Sequence, residues 1–158
     1  MKPAKKTNAA RLLDQLGVTY ELVAYEVDEE ELGAVHVAAG LGQDVAVVFK
    51  TILLRGDRTG PFVCVVPGDA AVDLKAAAAV SGNKKAEPLP LKELLPLTGY
   101  VRGGCSPIGM KKNFPTYLHE SATLHPFIFV SAGQRGLQFK LAPSDLVRAT
   151  AATVCVLV

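Results

Sequence analysis

The chain has 158 residues, 49% of them hydrophobic and 20% charged, with a formal net charge of +2. That is enough for one domain with a real core and too little for two comfortable ones, and it excludes a disordered chain. No apolar run reaches the roughly 20 residues that a membrane-spanning helix needs. The reading is therefore a cytoplasmic, single-domain protein with no call for a membrane.

In chain order, Ala9, Leu12, Leu13 and Leu16 recur at helical spacing, which predicts a helix from Lys5 to Leu16 stopped by Gly17. Val18 to Tyr25 alternates as a strand does. Asp28 with Glu31 resembles a capping box and predicts a second helix running towards Gly40. Val45 to Leu54 is apolar except for Lys50 and Thr51, and Pro61 to Pro67 reads as a buried strand. The Gly56–Gly60 stretch between them suggests a hairpin-like connection. Asp73 is placed to cap a helix over Leu74–Val80, and a short helix is expected from Leu89 to Leu95. Thr116–His119, Phe127–Ser131 and Leu137–Leu141 read as strands. Pro143 suits the first turn of a helix to Thr150, and Thr153–Val158 closes the chain as a strand. Helices and strands interleave without linker or repeat, which predicts an α/β domain with a mixed sheet.

Charge is uneven along the chain. Glu26, Asp28, Glu29, Glu30 and Glu31 form an acidic patch, while lysines gather as Lys2/Lys5/Lys6, Lys84/Lys85 and Lys111/Lys112. Basic doublets are commonly just solvated surface, but beside a cleft they would supply phosphate contacts. Cys64, Cys105 and Cys155 are scattered, as are the three histidines. That spacing argues against a disulfide framework and proposes no metal site or cofactor.

Two features suggest chemistry. Lys50 interrupts an apolar run, so it either snorkels to the surface or offers a charge to a phosphate or oxyanion in a cleft. The segment Thr98–Lys112 packs Gly103, Gly104, Pro107 and Gly109 together ahead of two lysines. Such a loop can turn several amides toward one point, although an ordinary turn has the same composition. A second glycine segment, Val130–Gly136, contains Ser131 and Arg135, and a plain hairpin turn explains it about as well. There is no Gly-x-Ser-x-Gly elbow, no hydrolase triad and no Walker loop. Cys105 has no signature of a depressed pKa, so a nucleophilic role for it has little support.

Taken together, Val48–Leu53, Val72–Ala76, Lys84–Lys85, Thr98–Gly109, Lys111–Lys112 and Val130–Gly136 resemble, in order, the YbaK/EbsC family of aminoacyl-tRNA deacylases, related to the editing domain of bacterial prolyl-tRNA synthetases. The resemblance is strongest to the Cys-tRNA(Pro) deacylase branch. It implies a mostly antiparallel, barrel-like sheet with surrounding helices, and a cleavage in which the thiol of the misattached cysteine attacks its own ester. By position, Lys50, Gly103, Gly104 and Ser106 would be catalytic. Tyr25, Phe49, Cys105, Pro107, Ile108, Ser131, Gly133 and Arg135 would bind substrate. The implied partners are the acceptor end of tRNA(Pro) and prolyl-tRNA synthetase. Two residues depart from the family pattern: Cys105 stands where an aliphatic residue is expected, and Gln138 where an acidic one is common. An alanyl- or seryl-tRNA deacylase using water, or an inactive tRNA- or synthetase-binding module, fits the same motifs.

Overall fold

The computed structural model describes residues 6–158, so Lys2 and Lys5 of the basic start lie outside the described residues. Helix α1 spans Asn8–Gln15; the Thr7 hydroxyl accepts from the Ala10 amide at its start and Gly17, at φ +69°, lies just past its end. Strand β1 is Tyr20–Ala24. The expected capping box does not start a helix. The Asp28 carboxylate instead accepts from the Glu30 amide in a local turn, and α2 begins later, at Ala34–Leu41, without a side-chain cap. A short polar side chain satisfies a nearby turn as readily as a helix end, and here the turn wins.

Strands β2 (Phe49–Gly56) and β3 (Gly60–Pro67) form the expected hairpin, with Gly56 opposite Gly60. Buried Asn83 fixes that turn, accepting from the Arg58 and Thr59 amides, both at 2.9 Å. Helix α3 is Leu74–Ser81, capped by Asp73 as expected, with Gly82 left-handed at its end. A short strand β4, Ala86–Pro88, was not foreseen. Helix α4 is Leu94–Thr98 and contains Pro96, which sits in the first turn where a helix needs no amide. The remaining elements are β5 (Thr116–His119), β6 (Ile128–Ser131), β7 (Leu137–Leu141), α5 (Pro143–Thr150) and β8 (Thr153–Cys155). Among the described residues, no helix is long and apolar enough to cross a membrane.

The strands make two sheets and not a barrel. One has five strands in the order β4-β2-β3-β5-β8, and the other three in the order β1-β7-β6. The three-stranded sheet is antiparallel, whereas β5 runs parallel to both β3 and β8. A single bridge between Val48 and Phe129 seams the sheets. The main core fills the space between them, with Phe49, Leu53, Val63 and Val65 meeting Ile128, Val130 and Phe139. On the far face of the larger sheet, Leu54, Phe62, Cys64 and Val66 pack with Ala77 of α3. Strand β3 is therefore buried on both faces, which is why its sequence is continuously apolar.

Candidate active site

The strand pairing makes an opening. β3 follows β2 from Phe49 to Gly56, whereas β4, on the opposite edge, covers only Leu54–Gly56. Beyond β4 the Leu89 amide still donates to the Leu53 carbonyl at 3.0 Å, and the uncovered edge from Phe49 to Ile52 borders a cavity of about 350 Å3. The start of α2, the Leu89–Leu94 segment and the Arg102–Cys105 loop form other walls, and Ser131 and Gln138 close it from the smaller sheet. Ser131 and Gln138 are cross-strand partners on β6 and β7. Lys50 and Thr51 leave opposite faces of β2, yet both line the cavity because it wraps the free edge.

Burial lowers the pKa of Lys50 from the usual lysine value, and the charge of Asp69 partly opposes this. Arg102 is the other lining cation, and no Asp, Glu or His is among the lining residues. The cavity is thus positive, with largely apolar walls. The Cys105 thiol is pushed up to about 12 by burial, against a lowering contribution from Thr98. The Ser131 hydroxyl accepts the Gly133 amide at 3.2 Å. No lining hydroxyl or thiol is paired with a base.

The two glycine segments, separate in sequence, touch in space. A Cβ on Gly104 would lie 3.0 Å from the Arg135 nitrogen, and Arg135 Nε donates to the Arg102 carbonyl at 2.9 Å. Tyr100 ties both: its hydroxyl donates to the Ile108 carbonyl at 2.6 Å, and its ring lies 3.0 Å from where a Gly133 Cβ would stand. Within the 103–108 stretch, the Gly104 amide is spent on the Val101 carbonyl and the Ile108 amide on the Ser106 hydroxyl. The Gly103, Cys105 and Ser106 amides have no acceptor among the described residues.

Of the site residues expected from sequence, Lys50, Phe49, Gly103, Cys105 and Ser131 line the cavity. Gly104, Gly133 and Arg135 stand behind it, holding the two loops together. Ser106, Pro107 and Ile108 are buried under the loop, with the Ser106 oxygen already occupied as an acceptor. Tyr25 packs in the cluster behind α2 and its amide donates to Gly136. Lys84, Lys85, Lys111 and Lys112 are exposed and do not line the cavity. Sequence reading did not place Thr51, Leu89, Leu91, Leu94 or Arg102 in the wall, and it marked Gln138 only as a departure. Away from the cavity, the ligand atoms of Asp28, Glu31 and His36 lie within 4.8 Å of one another on the surface, a group that spacing did not suggest.

The model of the aminoacyl-tRNA editing domain matches residues 28–149, which takes in the whole cavity wall. The chain belongs to that family. This editing domain is 50% identical over 149 residues to an Enterococcus faecalis protein named "Putative Cys-tRNA(Pro)/Cys-tRNA(Cys) deacylase EbsC", covering 94% of this chain and 91% of the other. A Bacillus subtilis protein, YwhH, is 29% identical over 109 residues, 69% of each chain. Among solved structures, the hypothetical protein APE2540 superposes at a TM-score of 0.87 with 21% identity, over 96% of this domain and 99% of that chain. A protein described as a putative trans-editing enzyme for prolyl-tRNA synthetase superposes at 0.80 with 23% identity, over 98% of both. These two likenesses, at 21% and 23% identity, show a shared fold.

Proposed function

We propose that the chain is a trans-editing deacylase that clears Cys-tRNA(Pro), with the substrate's own thiol as nucleophile. One observation carries this reading: the cavity is lined by a lysine and by Gly103 and Cys105, whose amides are unspent, but by no activated nucleophile. A site of this kind orients an ester and stabilises negative charge without attacking it. The largely apolar space of about 350 Å3 suits a small aminoacyl group, and the 50% identical relative bears a cysteinyl-tRNA deacylase name.

In this reaction the cysteine sulfur bonds to the ester carbonyl carbon and the carbon–oxygen bond to the terminal ribose breaks. The thiol proton ends on the ribose hydroxyl, giving free tRNA and a β-thiolactone that water then opens. Lys50 faces the developing negative charge, and the Gly103 and Cys105 amides serve the carbonyl oxygen. Gly104, Ser106, Pro107, Ile108, Gly133 and Arg135 hold that loop in place. The acceptor end of tRNA(Pro) is the partner, and the mild net charge of +2 fits a domain that takes tRNA identity from prolyl-tRNA synthetase.

Deacylation of Cys-tRNA(Pro) by wild type and Lys50→Ala tests the assignment. The variant is expected to lose about a hundredfold to a thousandfold in rate; equal rates overturn the role of Lys50. α-Aminobutyryl-tRNA(Pro), which lacks the thiol, is expected to be cleaved far more slowly. Comparable cleavage of both esters points instead to a water nucleophile and to alanyl or seryl esters as substrates.

A further inference from the structure

The loop that starts at Arg102 descends into the cavity. Arg102 is exposed, Gly103 half-buried and Cys105 buried, and all three line the wall. The Arg102 guanidinium at the upper end is unengaged. Among the described residues it makes no ion pair, and none of the carboxylates in the acidic patch before Leu32 is bound to it. Its backbone is nevertheless fixed: Arg135 Nε donates to the Arg102 carbonyl, and the Gly104 amide to the Val101 carbonyl, both at 2.9 Å. One arginine thus spends its side chain on holding another, whose own fork is left open.

We infer that Arg102 binds the phosphodiester on the 5′ side of the terminal adenosine, and so sets how deep the aminoacyl ester enters. The choice of ligand rests on the editing reaction proposed above. In such a substrate the ester sits on the terminal ribose, and the nearest permanent negative charge is the phosphodiester of that same nucleoside. The loop offers matching groups in the same order, with unspent amides at Gly103 and Cys105 inside and a guanidinium at the mouth. A phosphodiester costs much to desolvate, so it belongs at the exposed end and not against the largely apolar wall. Of the two lining cations, Lys50 suits it less. Lys50 is half-buried and burial lowers its pKa, whereas a guanidinium keeps its charge and its planar fork matches two phosphate oxygens. No lining carboxylate competes for Arg102. Anchoring the phosphate limits the poses open to the ester and keeps its carbonyl near Lys50 and the loop amides.

Steady-state cleavage of two small esters by the full chain tests this: 3′-O-cysteinyl adenosine, and the same compound carrying a methyl phosphodiester at its 5′ oxygen. The uncatalysed rate is subtracted for each. Wild type is expected to cleave the phosphodiester compound with a kcat/KM about tenfold higher, the difference lying in KM. Arg102→Gln is expected to lose that preference, and Arg102→Lys to retain part of it, because an ammonium keeps the charge without the fork. Lys50→Ala is expected to slow both esters and to keep the preference. Equal wild-type kcat/KM for the two esters overturns the inference without recourse to any variant. So does a preference that survives Arg102→Gln, or one that Lys50→Ala abolishes, which would give the phosphate to Lys50. In each of these cases the editing reaction stands. If wild type cleaves neither ester nor Cys-tRNA(Pro), the editing reading falls and the inference with it.

Discussion

Cys105 shows how position and reactivity part company. It lines the cavity beside the proposed ester site, yet burial pushes its thiol up to about 12, and Cys64 is held there too. A raised pKa means less thiolate at any given pH, so both are poor nucleophiles. Native protein treated with iodoacetamide at mildly alkaline pH is expected to label the half-buried Cys155 alone, and denatured protein all three cysteines; mass spectrometry of the peptides reads the difference. Rapid native labelling of Cys105 would contradict its assignment as lining. Lys50 was legible in the sequence because a charge inside an apolar run needs an explanation. The unpartnered buried oxygens of Thr51 and Gln138 were not, since only the packed structure shows which polar atoms are left over. Ser106, catalytic by resemblance, is fully buried and its oxygen accepts from the Ile108 amide.

At the scale of elements, the loops after α4 and β6 behave as one unit. Gly104 is at the centre of their contact, where a Cβ would lie 3.0–3.1 Å from backbone atoms of Gln134 and Arg135. Backbone cannot swing aside as a side chain can, so Gly104→Ala is expected to force the loops apart and cost about 1–3 kcal/mol. Urea denaturation measures that loss, and activity is expected to fall with it as the Gly103 and Cys105 amides shift. A variant of wild-type stability would show that the contact yields easily. The glycines themselves were visible in the sequence; their mutual contact was not, because nothing local records which of two distant turns will meet. Caps show the same limit. Asp73 and Asp28 look alike as helix starters, but only Asp73 has a helix to cap, whereas the Asp28 carboxylate closes a tight turn.

For the molecule as a whole, interleaved apolar segments were sufficient to reveal an α/β domain, and most strands fall where alternation or apolar runs placed them. The separation into two sheets was hidden, since apolar patterning does not say which strands pair, and among the described residues an isolated bridge at Val48 and Phe129 links the two. The doubly covered interior carries a pH signature. Tyr100, Cys64 and Cys105 are all raised to about 12 by burial, from ordinary values of 10.0 for the phenol and 9.0 for the thiols. Above pH 9.0 the unfolded chain releases thiol protons that the folded one keeps, so these groups leave stability intact below that pH and withdraw it as pH climbs toward about 12. Thermal unfolding in reducing buffer is expected to show Tm falling progressively above pH 9.0. A level Tm through that range would mean that the buried groups ionise without opening the core.

The short β4 has a bearing on solubility. A strand edge left bare is a template on which another chain can add, and proteins usually guard against this with charges, prolines or an overlying segment. Here the uncovered edge of β2, from Phe49 to Ile52, lies in a recess walled by Leu89–Leu94 and the start of α2, and Pro88 ends the strand that pairs with its continuation. An extended chain adding to that edge would meet these walls. The segment that shapes the pocket is also the guard of the sheet, so enlarging the pocket by trimming Leu89 or Leu91 would trade substrate range against self-association.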